Sequence, residues 1–403
     1  MILSLALSIL AAAPQQPAGE TLLLRAAKVY TADAAGMINN GAVLIRDGKV
    51  IAVGRASEIK APEGARIEEL GQVWLVPGLI EPHCHVAGSL RDLNDGVFLA
   101  NPELETTQVV EPQNQFMMDA TAAGVTSALL IPGSGNNISG FGTIVKTAGD
   151  TVEDVIVRAP GSLKVAQAGN PERYSWGIGR ALMNWNTRDT LSKGLTWAKA
   201  YREGKVAWDP VYANFVGLEN GSVPTSVHTQ IYQVVLMTLT MQKRDLGLQP
   251  FVDHGTFDAF RLGSVAAELE VPLMLGPRNV YFDRANSQIV GVAAGWKEHA
   301  EAAGGSVKIG YNTDSPVLPE EELPFQAAIG VRHGAGSNED ALRGMTAYAA
   351  EALKIADVAG RLTPGLDADL AAWTGDPLDP RSHVLKTWIR GKLVYDAGAG
   401  RRY

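Results

Sequence analysis

Two hydrophobic textures divide the chain. From Thr21 to Leu75, short aliphatic and β-branched runs ("TLLLRAAKVYTA", "GAVLIRDGKVIAVG", "ARIEELGQVWLVPG") are separated by Asp47-Gly48 and by Pro62 to Gly64. Such runs between turn residues predict strands, and an Asp-Gly pair between them predicts a tight hairpin. The last segment has the same texture in "DADLAAWTG" and "VLKTWIRGKLVYDAG". Two strand-rich ends around a different middle predict one small β domain built from residues 20–76 and 362–403.

Between residues 77 and 361, apolar strand-like runs alternate with helical stretches. The runs include "TSALLIPG", "SLKVAQAG", "VPTSVHTQ", "QPFVDHG", "VPLMLGP" and "SVKIGYNTDSP"; the helical pieces include "IYQVVLMTLTMQKRDLG" and "DAFRLGSVAAELE". Alternation over this length predicts an α/β fold, a (β/α)8 TIM-like barrel. Residues 171–221 read as a helical insertion over the barrel mouth, with Trp176, Trp185, Trp197 and Trp208 as packing residues.

Composition narrows the function. A formal charge of −8 leaves no basic stripe for nucleic acid. The single cysteine, Cys84, cannot form an internal disulfide. The segment from Ile2 to Ala13 is apolar and is followed by a Pro-rich stretch. It is too short to span a bilayer, which needs about 20 residues, and fits a signal peptide over residues 1–19. Export to the periplasm or the medium is the expectation, cytoplasmic residence the alternative; no other segment is long and apolar enough to span a membrane. A homo-oligomer is compatible with the sequence, which does not fix the oligomeric state.

The chemistry concentrates in "LVPGLIEPHCHV". Residues two apart on a strand share a face, so His83 and His85 aim together while Cys84 points away. At the end of a first barrel strand both imidazoles face the mouth, where barrel enzymes keep their active sites, and form half of a site for zinc or a similar divalent ion. His228 and His254 each close an apolar run, and Asp314 follows another. Singly, each is as well explained as a satisfied core histidine or a capping aspartate. Together, at the strand ends of one barrel, they point to a metal centre. His299, His333 and His383 lie in polar contexts and read as surface residues. Arg278 also ends a strand-like run, where it serves a substrate carboxylate or a structural ion pair equally well. The glycines of "PGSGNN", which contains Asn136, permit close backbone approach to a ligand, but no Gly-Lys-Ser/Thr follows to make a phosphate loop.

"PGLIEPHCH", "VHTQ", "VDHG", "NTDSP" and "PGLDADLAAWTGDPLDP" together resemble the metal-dependent amidohydrolase superfamily. "PGSGNNISGFGTIVKT" and "LKVAQAGNPER" are similar to segments of its imidazolonepropionase-like members of unassigned substrate. The resemblance covers nearly all of Thr21 to Tyr403 and implies a distorted β/α barrel with a small β-sandwich built from both chain ends. It also implies roles: His83 and His85 as first-strand ligands, His228 on the fifth strand, His254 on the sixth, Asp314 on the eighth. Two-metal members carry a bridging lysine or glutamate on the fourth strand. Here Gly169 holds the place of the glutamate, and Lys164, read as standing at a strand start, is the candidate bridging lysine. One metal, zinc, is therefore expected, with a second site in doubt. Gln230 stands where relatives carry a second histidine and, with Arg278 and Asn136, is a candidate substrate contact. The expected activity is hydrolysis of a carbon–nitrogen bond in a small molecule, a cyclic amide or a dipeptide, by metal-activated water. Asp314 would act as general base, and His254 as metal ligand or as donor to the developing oxyanion. A deaminase of the same superfamily and a non-catalytic binding relative are the alternatives.

Overall fold

The protein is described here by a computed structural model, covering residues 21–167, 171 and 178–399. The expected leader, Gly169 and Trp176 lie outside the described residues.

Both chain ends feed one eight-stranded sheet. Its N-terminal strands are β1 (Thr21–Tyr30), β2 (Met37–Arg46), β3 (Lys49–Arg55), β4 (Arg66–Glu69) and β5 (Trp74–Pro77). Asp47 and Gly48 turn β2 into β3 with φ of 52° and 74°, as a two-residue hairpin of positive φ requires. The C-terminal strands β16 (Leu370–Trp373), β17 (Val384–Ile389) and β18 (Lys392–Asp396) extend this sheet through a β16–β5 antiparallel pairing that sets Trp373 opposite Trp74. Leu22, Leu24, Val43, Ile45, Leu75, Leu370 and Trp388 form its core.

The second sheet is the barrel: β6 (Leu79–Cys84), β7 (Val125–Leu130), β8 (Ile138–Lys146), β9 (Ile156–Ala166), β10 (Thr225–Thr229), β11 (Pro250–His254), β12 (Leu273–Leu275) and β15 (Ile309–Tyr311), neighbours in that order. Cys84 pairs with Ser315, and the His85 N–H donates to the Ser315 carbonyl at 2.8 Å, bringing the first strand to the end of the last. Strand–helix alternation is broken at one place. β8 runs antiparallel to both β7 and β9. The seven residues 131–137 joining β7 to β8 are too few for a parallel crossover, which takes about a dozen or more. A short antiparallel hairpin, β13 (Val280–Asp283) with β14 (Gln288–Gly291), stands apart from both sheets.

Ile80, Leu129, Ile144, Phe251 and Met274, from five barrel strands, pack with Ala349, Leu353 and Ile355 into an apolar floor. Ile80 and Phe251 each lie three residues before a site histidine, so this floor underlies the strand ends that carry His83 and His254. Between β9 and β10 lie the helices Arg180–Arg202 and Phe215–Glu219. Asn137 ties the long helix to the barrel, accepting from Asn186 Nδ2 at 2.7 Å and donating to the Ala166 carbonyl at 2.8 Å. Of its tryptophans, Trp197 stacks on Tyr201, but Trp185 is 62% exposed and so is Trp208 in the following loop, contrary to a packing role.

Candidate metal centre

His83 is the penultimate residue of β6 and fully buried, with His85 just beyond the strand. His228 is the fourth residue of β10, and His254 the last of β11. Asp314 follows β15 by three residues. The fold brings all five together. The His254 ring centroid lies 4.7 Å from that of His83 and 4.3 Å from that of His228, and His85 is 5.1 Å from His83. Asp314 Oδ1 is 3.2 Å from Nε2 of both His83 and His85.

Neighbouring oxygens orient the rings. Nδ1 of His85 is 2.7 Å from the Ile131 carbonyl, and Nδ1 of His254 is 2.8 Å from the Gly276 carbonyl. A carbonyl only accepts, so these nitrogens carry the proton and leave Nε2 bare as a ligand atom. His228 Nδ1 meets Ser134 Oγ at 2.7 Å. The Nε2 atoms of His228 and His254 are buried without a hydrogen-bond partner among the described residues. Burial, the His254 charge and the Lys164 charge hold His228 well below the usual imidazole range. Burial likewise brings His254 down to about 4, against the pull of Asp314. Both rings are therefore neutral near pH 7. Burial raises the Asp314 carboxyl, but the surrounding histidines outweigh it and hold the group far below the ordinary range, fully ionised.

Ligand atoms of His83, His254 and Asp314 lie within 4.8 Å of one another. Neutral imidazoles with unmet Nε2 atoms around an ionised carboxylate form a donor set that suits a divalent cation of zinc type.

Two members of the cluster escaped the sequence. Asp253 Oδ2 lies 3.0 Å from His83 Nδ1 and accepts from Ser226 Oγ at 2.5 Å. Adjacent strand residues face opposite ways, yet both Asp253 and His254 contact His83 because His254 has φ of 73°. Glu81 is the second: fully buried, it accepts from the His83 N–H at 3.0 Å and from the Thr313 N–H and Oγ1 at 2.9 and 2.7 Å.

The remaining candidates fall differently. Lys164 is not at a strand start but inside β9, two residues before its end; it is fully buried, with Nζ 3.2 Å from His83 Nε2. Burial lowers its amine to about 8 despite the favourable charges of Asp253 and Asp314. Arg278 is exposed, lies over the Phe257 ring at 4.9 Å and makes no ion pair among the described residues. Gln230 is half-buried just past β10, with no hydrogen bond among the described residues. The Asn136 amide donates to the carbonyls of Asp95 and Phe98 at 2.5 and 2.8 Å, tying it to the loop at 95–98. His333 and His383 are exposed, whereas His299 is half-buried against Phe260.

The model of the amidohydrolase family matches residues 250–394. An amidohydrolase, tasK, of Hapsidospora irregularis is 22% identical over 402 residues, covering 88% of this chain; the chain spans only 40% of that protein's length. An imidazolonepropionase of Nocardia farcinica is 23% identical over 396 residues, covering 89% of this chain and 93% of the relative. The crystal structure of an amidohydrolase from Thermotoga maritima superposes with a TM-score of 0.81 at 27% identity, covering 93% of this chain and all of that one.

Proposed function

Because the chain belongs to the amidohydrolase superfamily, with imidazolonepropionase-like relatives, we propose that it hydrolyses a carbon–nitrogen bond of a small amide, cyclic amides and dipeptides included, with one zinc ion per chain. The observation that carries this reading is the convergence of buried His83 and His254 with part-exposed Asp314, beside the Nε2 atoms of His228 and His254 that have no partner among the described residues. His83, His85, His228, His254 and Asp314 would hold the ion. When bound, it supplies acidity, lowering the pKa of a water from about 16 to about 7.

The protein's own groups do the rest. Asp314, held ionised, accepts the proton of the attacking water as oxygen adds to the amide carbon. The same carboxyl returns that proton to the nitrogen as the carbon–nitrogen bond breaks, leaving a carboxylate and an amine. His254, its Nδ1 fixed on Gly276, keeps one orientation throughout. Arg278, without an ion pair among the described residues, receives a substrate carboxylate, and Gln230, two residues after His228 and without a hydrogen bond among the described residues, offers its amide for a polar contact.

Elemental analysis of wild type beside His83→Ala, followed by product identification on amide and dipeptide panels, tests the reading. About one equivalent of zinc, lost in the variant, with a new carboxylate and a retained amine in the product, is the expected result. Two equivalents would assign Lys164 to a bridge, ammonia release would mean deamination, and metal-free protein after reconstitution would overturn the proposal.

A further inference from the structure

We propose that Glu81 is a positioning residue that locks two metal-binding segments into one geometry. The inference rests on reading His83 and Asp314 as ligands. These ligands arrive on segments far apart in sequence, β6 and the turn after β15, at the seam where the barrel closes. One buried carboxylate spans that seam. Glu81 Oε1 accepts the backbone N–H of His83 at 3.0 Å, and Oε2 accepts the N–H and the hydroxyl of Thr313 at 2.9 and 2.7 Å.

The partners are the residues that need fixing. His83 carries the imidazole itself, and Thr313 immediately precedes Asp314, whose φ is 53°. A non-glycine residue held there is strained and persists only where its surroundings determine it. The Thr313 N–H and hydroxyl, both held on Glu81, fix the chain entering that strained residue. The side chain does not touch the ligand atoms; it acts through the backbone of one ligand residue and the neighbour of another. Glu81 is fully buried, where a glutamate is rarely found unless its acceptors are used, and here both oxygens are.

Glutamine cannot substitute. Its single carbonyl oxygen can keep either His83 or Thr313, and its NH2 must then face an N–H donor on the other side. The test uses the full chain as Glu81→Gln and as the milder Thr313→Val, which removes only the hydroxyl donor. Cobalt(II) is the probe: its affinity is measured by chelator competition, its d–d absorption reports ligand geometry, and thermal unfolding of the metal-free proteins reports the fold. Expected are a 10- to 100-fold loss of affinity in Glu81→Gln, a smaller loss in Thr313→Val, and changed d–d bands in both, with metal-free Tm values close to wild type for Thr313→Val. Wild-type affinity and an unchanged spectrum in either folded variant would overturn the positioning role. If Glu81→Gln fails to fold, Thr313→Val decides. If wild type itself binds no cobalt, the metal centre is refuted and this inference with it.

Discussion

Lys164 carries a cost that can be measured. Its amine is fully buried, with Nζ in contact with His83, and falls from 10.5 to about 8 chiefly because burial penalises the charged form. At about 1.4 kcal/mol per tenfold change in acidity, that fall corresponds to about 3 kcal/mol of destabilisation of the metal-free fold near neutral pH. The sign follows from proton counting. Between pH 8 and 10.5 the unfolded chain binds more protons at this site than the folded one, so stability rises with pH across that window and the full cost applies below it. Lys164→Met keeps much of the volume and removes the charge. Asp253 and Asp314 lose a favourable neighbour, so 3 kcal/mol is an upper bound and about 1–3 kcal/mol is expected. Urea unfolding of the metal-stripped proteins at pH 7 and at pH 10 measures the difference. The variant should be more stable at pH 7, and the gap should shrink by pH 10. Equal stability at pH 7, or a gap independent of pH, would refute the argument, because the lysine would then be accommodated without cost and its burial would say nothing about function.

Arg278→Met should raise KM by about 10- to 100-fold for substrates bearing a carboxylate, with kcat little changed and uncharged amides unaffected, since a charge-assisted contact is worth about 1.5–3 kcal/mol; equal effects on both substrate types would refute carboxylate recognition. Glu320 is 2% exposed beside the Cys84 thiol, and burial pushes it up to about 8. Its folded-state pKa exceeds the unfolded value, so stability falls as pH rises from about 4.5 through 8. Glu320→Gln should therefore leave Tm near wild type at pH 5 and raise it by about 2–4 °C at pH 8.5, and a gain confined to acid pH would reverse the assignment.

What the sequence disclosed follows from period and punctuation. His83 and His85 were legible because two residues on a strand share a face, and Asp47-Gly48 because only a turn of positive φ explains that pair between apolar runs. The reversed direction of β8 escaped the alternation argument because all nine of its residues are buried, leaving no periodicity to mark a direction. It was nonetheless implicit in chain length, since seven residues cannot carry a parallel crossover.

The residues that support the site were harder to see, and the reason is geometric. Period-two reasoning assigns Asp253 and His254 to opposite faces, and only the positive φ of His254 turns both toward His83. Asp314 departs in the same way, at 53°. No propensity argument predicts a histidine or an aspartate in that conformation on a strand end, because it is unfavourable locally and is maintained by distant partners: Gly276 on His254, and Glu81 through Thr313 before Asp314. The ligand types are thus encoded locally, while their convergence is encoded in contacts between strands. Glu81 illustrates the consequence: within "GLIEPHCH" it reads as a polar interruption of an apolar run, and its role emerges only once the eighth strand lies beside the first.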